Sequence, residues 1–220
     1  MSTSPDQSPT EEEFPTVIYL VDDDVSYLRS CSRLLRAAGF NVVIHNSAAE
    51  FLLELRADMS GCVITDLMMP GMNGIELQEA LAKKDSALPV IFLTGQGDIP
   101  ITVKAMRAGA EDFLTKNAPK EELFAAIGRA LAHHAEHRET LARLEELRRP
   151  FELLSVRERE VLQHVVRGQL NKQIAADLGI HERTVKLHRT HITTKLAVHS
   201  VAELTRMVQN AGLFEDWDRA

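Results

Sequence analysis

Between residues 16 and 116 the chain alternates two hydrophobic rhythms. The short runs "TVIYLV", "NVVIH", "CVITD", "PVIFLT" and "DFLTK" carry consecutive apolar residues and read as buried strands. Between them, Val25–Ala38, Ala48–Arg56, Gly74–Lys84 and Ile99–Ala108 place apolar residues at steps of three and four, the period of a helix with one buried face. Gly39 and Gly109 stand where two of these helices should stop. Strands alternating with helices predict a five-stranded parallel sheet covered on both faces, a doubly wound α/β domain in (βα)5 order. Such folds bind ligands at the carboxyl edge of their strands.

Past Lys116 the strand rhythm disappears. Pro119 suits the start of a helix, and Glu121 and Glu122 favour its positive N-terminal end. Leu123, Ile127, Leu131, Leu141, Leu144 and Leu147 extend a helical stripe toward Pro150, which predicts a last domain helix and linker helix over 121–150. His133, His134 and His137 lie along it without a nearby thiol or acidic partner that fits, and read as a solvated face. From 151 to 212 the pattern is wholly helical. Ser155 and Glu158 form a capping-box pair before "VREREVLQHVVRG", and "NKQIAADLGI", "ERTVKLHRTHITTKL" and "SVAELTRMVQNAG" follow with short connections. That is an all-α four-helix unit with a helix-turn-helix at its centre. Residues 1–14 and 213–220 remain as tails, the first polar, acidic and read as disordered. The predicted α/β core covers 15–120.

Charge separates the two parts. Residues 155–206 hold nine Lys/Arg against five Asp/Glu, whereas residues 1–120 hold ten against seventeen. A basic C-terminal unit behind an acidic domain is compatible with double-stranded DNA at one end only. No apolar run approaches the ~20 residues that cross a bilayer, and no secretory pattern precedes the first strand, which predicts no membrane partner and a cytoplasmic protein. Cys31 and Cys62 are isolated and read as two buried thiols.

The strand ends carry the chemistry. The first strand finishes in Asp22, Asp23 and Asp24, the third in Asp66, the fourth in Thr94 and the fifth in Lys116. In a parallel sheet these residues share one edge. Asp24 fits the N-cap of the following helix, but capping does not account for the rest. Clustered carboxylates repel and call for a cation, and an all-oxygen set suits Mg²⁺ or Mn²⁺. Metal, acid, hydroxyl and lysine together suit phosphoryl transfer, with one carboxylate attacking phosphorus. Lys116 would neutralise the phosphoryl oxygens, Thr94 would hydrogen-bond one, and Gly95 would leave room for the backbone.

These motifs, "VDDD", "TDLMMPGMNG", "FLTGQGD" and "AMRAGAEDFLTK", followed by "LSVREREVL", "NKQIAADLGI" and "TVKLH…ITTKL", give the chain a clear resemblance. It is similar to two-component response regulators of the FixJ/NarL type, a CheY-like receiver followed by a LuxR-type helix-turn-helix, over about residues 16–212. The resemblance implies phosphorylation of Asp66 by a sensor histidine kinase. It implies a metal held by Asp22, Asp23, Asp66 and the Met68 carbonyl, phosphoryl contacts from Thr94 and Lys116, and a switch aromatic at Phe113. It further implies a homodimer when phosphorylated, with DNA and the transcription machinery as partners and no enzymatic role. An aspartyl phosphatase would carry a second acid two residues after its nucleophile, where this chain has Met68.

On the second helix of the helix-turn-helix, Lys186, Leu187 and Thr190 share a face suited to base edges. Arg183, Thr184, His188, Arg189 and Lys195 suit phosphates, which position without specifying. Val201, Leu204 and Val208 on the last helix form the stripe that the family uses for output-domain dimers. One departure stands out. Receivers of this family usually follow the lysine with proline through a cis bond, whereas this chain reads "KNAP". A trans Lys116–Asn117 bond and a displaced Lys116 are therefore predicted, and a degenerate receiver acting without phosphorylation is the alternative.

Overall fold

Strand β1, Val17–Val21, sends Ile18 and Leu20 to one side and Tyr19 and Val21 to the other. The same alternation runs through β3 (Gly61–Asp66) and β4 (Val90–Thr94), and it builds two cores around one sheet. The computed structural model describes residues 16–95, 103, 105–214 and 217. With β2 (Asn41–His45) and β5 (Asp112–Thr115) at the edges, the order is β2-β1-β3-β4-β5, all parallel. On one face Cys62, Ile64, Ile91 and Leu93 pack with Leu28 and Leu35 of α1 (Val25–Ala37) and with Leu123 and Ile127 of α4 (Lys120–Glu152). On the other, Val63, Val90 and Phe92 pack with Phe51 of α2 (Ala48–Glu54) and Leu77 and Leu81 of α3 (Gly74–Lys83). The expected doubly wound domain is present, and both cysteines are free and buried. Half of the helix expected over Ile99–Ala108 lies outside the described residues; of the rest, Val103 and residues 105–107 are helical.

The chain divides into two compact units between Arg138 and Glu139. Helix α4 continues through Pro150, where the sequence pattern ended it, and stops at Glu152. A proline inside a helix costs about 3 kcal/mol. Phe151 and Leu154, both buried in the second unit's core, each return about 1.5–3 kcal/mol. Of the three histidines of α4, His133 and His137 are exposed as expected, and His134 departs from the solvated face. His134 is buried with Nδ1 3.0 Å from the Ala87 carbonyl, and His133 Nδ1 lies 2.9 Å from Glu111 Oε2.

The second unit contains α5 (Val156–Val166), α6 (Asn171–Leu178), α7 (Glu182–Lys195) and α8 (Val201–Asn210). Ser155 and Glu158 make the predicted capping box on α5, and Gly179 closes α6 in the left-handed conformation at φ 64°. Val161, Leu162, Ile174, Val185, Ile192, Leu204 and Val208 form the core, with Phe214 and Trp217 packed on it edge to face at 5.9 Å. The dimer stripe read on α8 is therefore corrected. Leu204 and Val208 are buried inside their own unit, and only Val201 of the three is exposed.

Candidate functional site

The carboxyl edge of the first unit's sheet is built by strand register. Val21 pairs with Thr65, Asp66 with Leu93, and Thr94 with Thr115, so Asp22, Asp66, Thr94 and Lys116 emerge at one level. Asp22 and Thr94 are only 1% and 2% exposed, and Asp66 is 9% exposed. The site sits beside the β1–β3 pair, where the strand order reverses, the usual ligand crevice of an open α/β sheet.

Lys116 organises the charges. Its Nζ stands 2.7 Å from Asp22 Oδ2 and 2.8 Å from Asp66 Oδ2, and it lies over the ring of Tyr27 at 4.6 Å. The other oxygens are also occupied: Asp22 Oδ1 accepts from the Asp24 N–H at 2.9 Å, and Asp66 Oδ1 accepts from the Met68 N–H at 3.3 Å. Burial opposes the charge of Lys116, but its bonds to Asp22 and Asp66 win and raise its pKa above the ordinary lysine value. For Asp22 burial wins instead, and its pKa is raised despite the ammonium.

The described residues show no cis peptide bond, so Lys116–Asn117 is trans as predicted. The predicted displacement of Lys116 is not found. Its backbone N–H is fixed to the Thr94 carbonyl at 2.8 Å, which holds the end of β5 in register and aims the side chain at Asp66.

The remaining residues fall as follows. Asp23 is exposed, and its carboxylate joins those of Asp22 and Asp66 in a group whose ligand oxygens lie within 4.8 Å of one another. Such an oxygen set fits a hard divalent cation. Asp24 is the N-cap of α1, accepting from the N–H groups of Ser26 and Tyr27. Phe113 is half-buried, with its ring 6.2 Å from that of Phe92. Gly95 is exposed at the end of β4. Gly74 permits the close approach behind Asp66, since a Cβ there would fall 2.5 Å from the Asp66 carbonyl oxygen. Tyr27 was missed by the sequence reading. The signal was available, because three residues past the Asp24 cap is one helical turn, enough to bring a ring back over the strand ends.

On the second unit, Arg183, Thr184, Lys186, Leu187 and Thr190 line one open depression along α7. Lys186 and Leu187 are exposed, and Lys186 is paired only loosely with Glu182 at 3.3 Å. Two of the predicted phosphate contacts have partners within the unit, and a third is partly buried. Lys195 Nζ is bonded to Glu158 Oε2 at 2.7 Å and to the Leu153 carbonyl at 3.0 Å, inside its own unit. Arg189 donates to Asn171 Oδ1 at 2.9 Å and is half-buried, and His188 has its Nδ1 buried.

Comparison with known proteins matches both units. The family model of the response regulator receiver domain fits residues 18–128, and that of the luxR family of bacterial regulatory proteins fits residues 152–208. Nodulation protein W of Bradyrhizobium diazoefficiens is 40% identical over 204 residues, 93% of this chain and 90% of that protein. Response regulator protein TodT of Pseudomonas putida is 43% identical over 88% of this chain and 86% of its own. The low-resolution structure of response regulator StyR superposes with a TM-score of 0.71 at 44% identity, covering 89% of this chain and 99% of that one.

Proposed function

The chain belongs to the response regulators that join a receiver domain to a luxR-family DNA-binding domain, and from that premise we propose that Asp66 is its phosphoacceptor and that phosphorylation controls operator binding. It is a transcription regulator of the two-component class. The observation that carries the proposal is the Lys116 ammonium bonded at once to Asp22 and Asp66, within a group of three convergent carboxylates.

The phosphoryl donor is a phosphohistidine of a sensor kinase. An oxygen of Asp66 forms the new O–P bond as the N–P bond to imidazole breaks, and the released imidazole takes up a proton. Each Asp66 oxygen accepts one hydrogen bond at rest and keeps a further lone pair for the attack. Lys116 can then follow the negative charge from the carboxylate to the phosphoryl oxygens, and Thr94 at the end of β4 supplies a hydroxyl to them. Asp22, Asp23 and Asp66, with the Met68 carbonyl, would hold Mg²⁺, which supplies charge neutralisation to the phosphoryl group. Repacking of Phe113 against Phe92 is the proposed switch that follows Thr94.

Lys186, Leu187 and Thr190 read bases, and Arg183 and Thr184 hold phosphates. So few contacts from one unit favour a homodimer on two half-sites, with the transcription machinery recruited there. The two half-sites call for a partner surface other than Leu204 and Val208, since both are buried. Among the described residues no helix is long and apolar enough to cross a membrane, which suits a cytoplasmic partner kinase domain. Operator binding measured with and without a small phosphodonor and Mg²⁺ tests the proposal. Phosphodonor should tighten binding by the wild type and not by Asp66→Asn; equal tightening in both would refute it.

A further inference from the structure

The second unit holds another convergent group. Glu158 on α5 and His188 and His191 on α7 each bring a ligand atom within 4.8 Å of the others, among the described residues. His188 and His191 are three apart and so share a face of α7, the face that packs over Glu158.

Three details distinguish this group from an ordinary surface ion pair. His191 Nδ1 lies 3.6 Å from Glu158 Oε1, too long for a hydrogen bond. That separation is close to the edge of a tetrahedron around zinc, about 3.3 Å for ligand distances of 2.0–2.1 Å. His188 Nδ1 is buried with no hydrogen-bond partner, so the ring that joins the group carries an unsatisfied nitrogen. The carboxylate itself is divided in use: Oε2 takes the Lys195 ammonium at 2.7 Å and the Ser155 N–H at 2.8 Å, which leaves Oε1 toward the histidines.

We infer that Glu158, His188 and His191 form a binding site for a borderline transition-metal ion, Zn²⁺ or one like it. Two imidazoles select such ions over Mg²⁺, which prefers oxygen ligands. Three protein ligands leave a fourth position for water, and the half-exposed His191 gives the ion a way in. The bonds from Lys195 and the Ser155 N–H fix the carboxylate and keep Oε1 turned toward His191. The Lys195 charge opposes the ion, which sets the affinity well below that of a closed structural zinc site. An ion here fastens α7 to α5 by a second link beside the Lys195–Glu158 pair.

The test titrates tag-free full-length protein with Co²⁺ in excess Mg²⁺, which saturates the acidic pocket of the first unit. Visible d–d absorption should saturate at one equivalent and be displaced by Zn²⁺. His191→Asn should weaken Co²⁺ at least tenfold while leaving the metal-free denaturation midpoint unchanged, since its side chain is half exposed. Asp66→Asn and a His133→Asn/His137→Asn double variant should keep the absorption. No saturable absorption, absorption that survives His191→Asn, or absorption lost in the His133/His137 variant would each overturn the assignment.

Discussion

Lys116 Nζ lies 2.8 Å from Asp66 Oδ2, so the proposed phosphoacceptor is already paired with the cation that would stabilise its phosphorylated form. The ammonium therefore competes with a metal ion for the same carboxylates at rest. Lys116→Met should tighten Mg²⁺ binding several-fold by calorimetry, because two carboxylates lose their internal counter-charge. The same variant should be phosphorylated without a gain in operator affinity. Weaker Mg²⁺ binding would show that Lys116 assembles the site instead of competing for it.

Asp24 separates capping from chemistry. It accepts from two N–H groups at the start of α1, and it lies outside the group of three convergent carboxylates. Asp24→Ala should cost about 1 kcal/mol in chemical denaturation and leave phosphorylation in place, whereas Asp23→Asn should slow phosphorylation with little change in stability. The reverse pattern would exchange the two roles.

Acid should weaken the second unit through Glu158. Its folded pKa of about 2 lies below the ordinary 4.5, so its contribution is present above pH 4.5 and is lost as pH falls toward 2. The single tryptophan, Trp217, packs on that unit's core, and its fluorescence reports its unfolding. Lys195→Met should destabilise the unit by ~1.5–3 kcal/mol at neutral pH and shrink the acid-dependent loss. An acid profile unchanged by this variant would remove Glu158 as its cause.

The sequence made the strand ends legible because each apolar run stops on a different polar residue, and parallel order brings those ends together. Asp22, Asp66, Thr94 and Lys116 are accordingly where the pattern predicts. Partners of amphipathic faces were not legible. The stripe of Leu204 and Val208 is equally consistent with a dimer face and with its own core, and the core holds it. Lys195 read as a DNA contact because charge on a recognition helix is ambiguous until a buried acid such as Glu158 is found beneath it. For "KNAP", the bond isomer followed from local energetics, but the position of Lys116 did not: a backbone hydrogen bond to Thr94 fixes it independently of residue 117.

On DNA, Lys186→Ala should cost about 1–3 kcal/mol on the preferred site and relax one base position. Arg183→Ala should weaken binding to all sequences and reduce the slope of log affinity against log salt by about one. Lys195→Met should leave that slope unchanged, because its charge is committed to Glu158. A binding-site selection and salt titration of the three variants checks the division.

The central claim is that one carboxylate, Asp66, receives the phosphoryl group. Protein incubated with a small phosphodonor and Mg²⁺, then measured by intact mass and peptide mapping, tests it directly. One phosphoryl group per chain should appear on the peptide containing Asp66, be removed by hydroxylamine, and be absent from Asp66→Asn. Stoichiometric labelling of Asp66→Asn, or a label mapped to another residue of the wild type, would contradict the account.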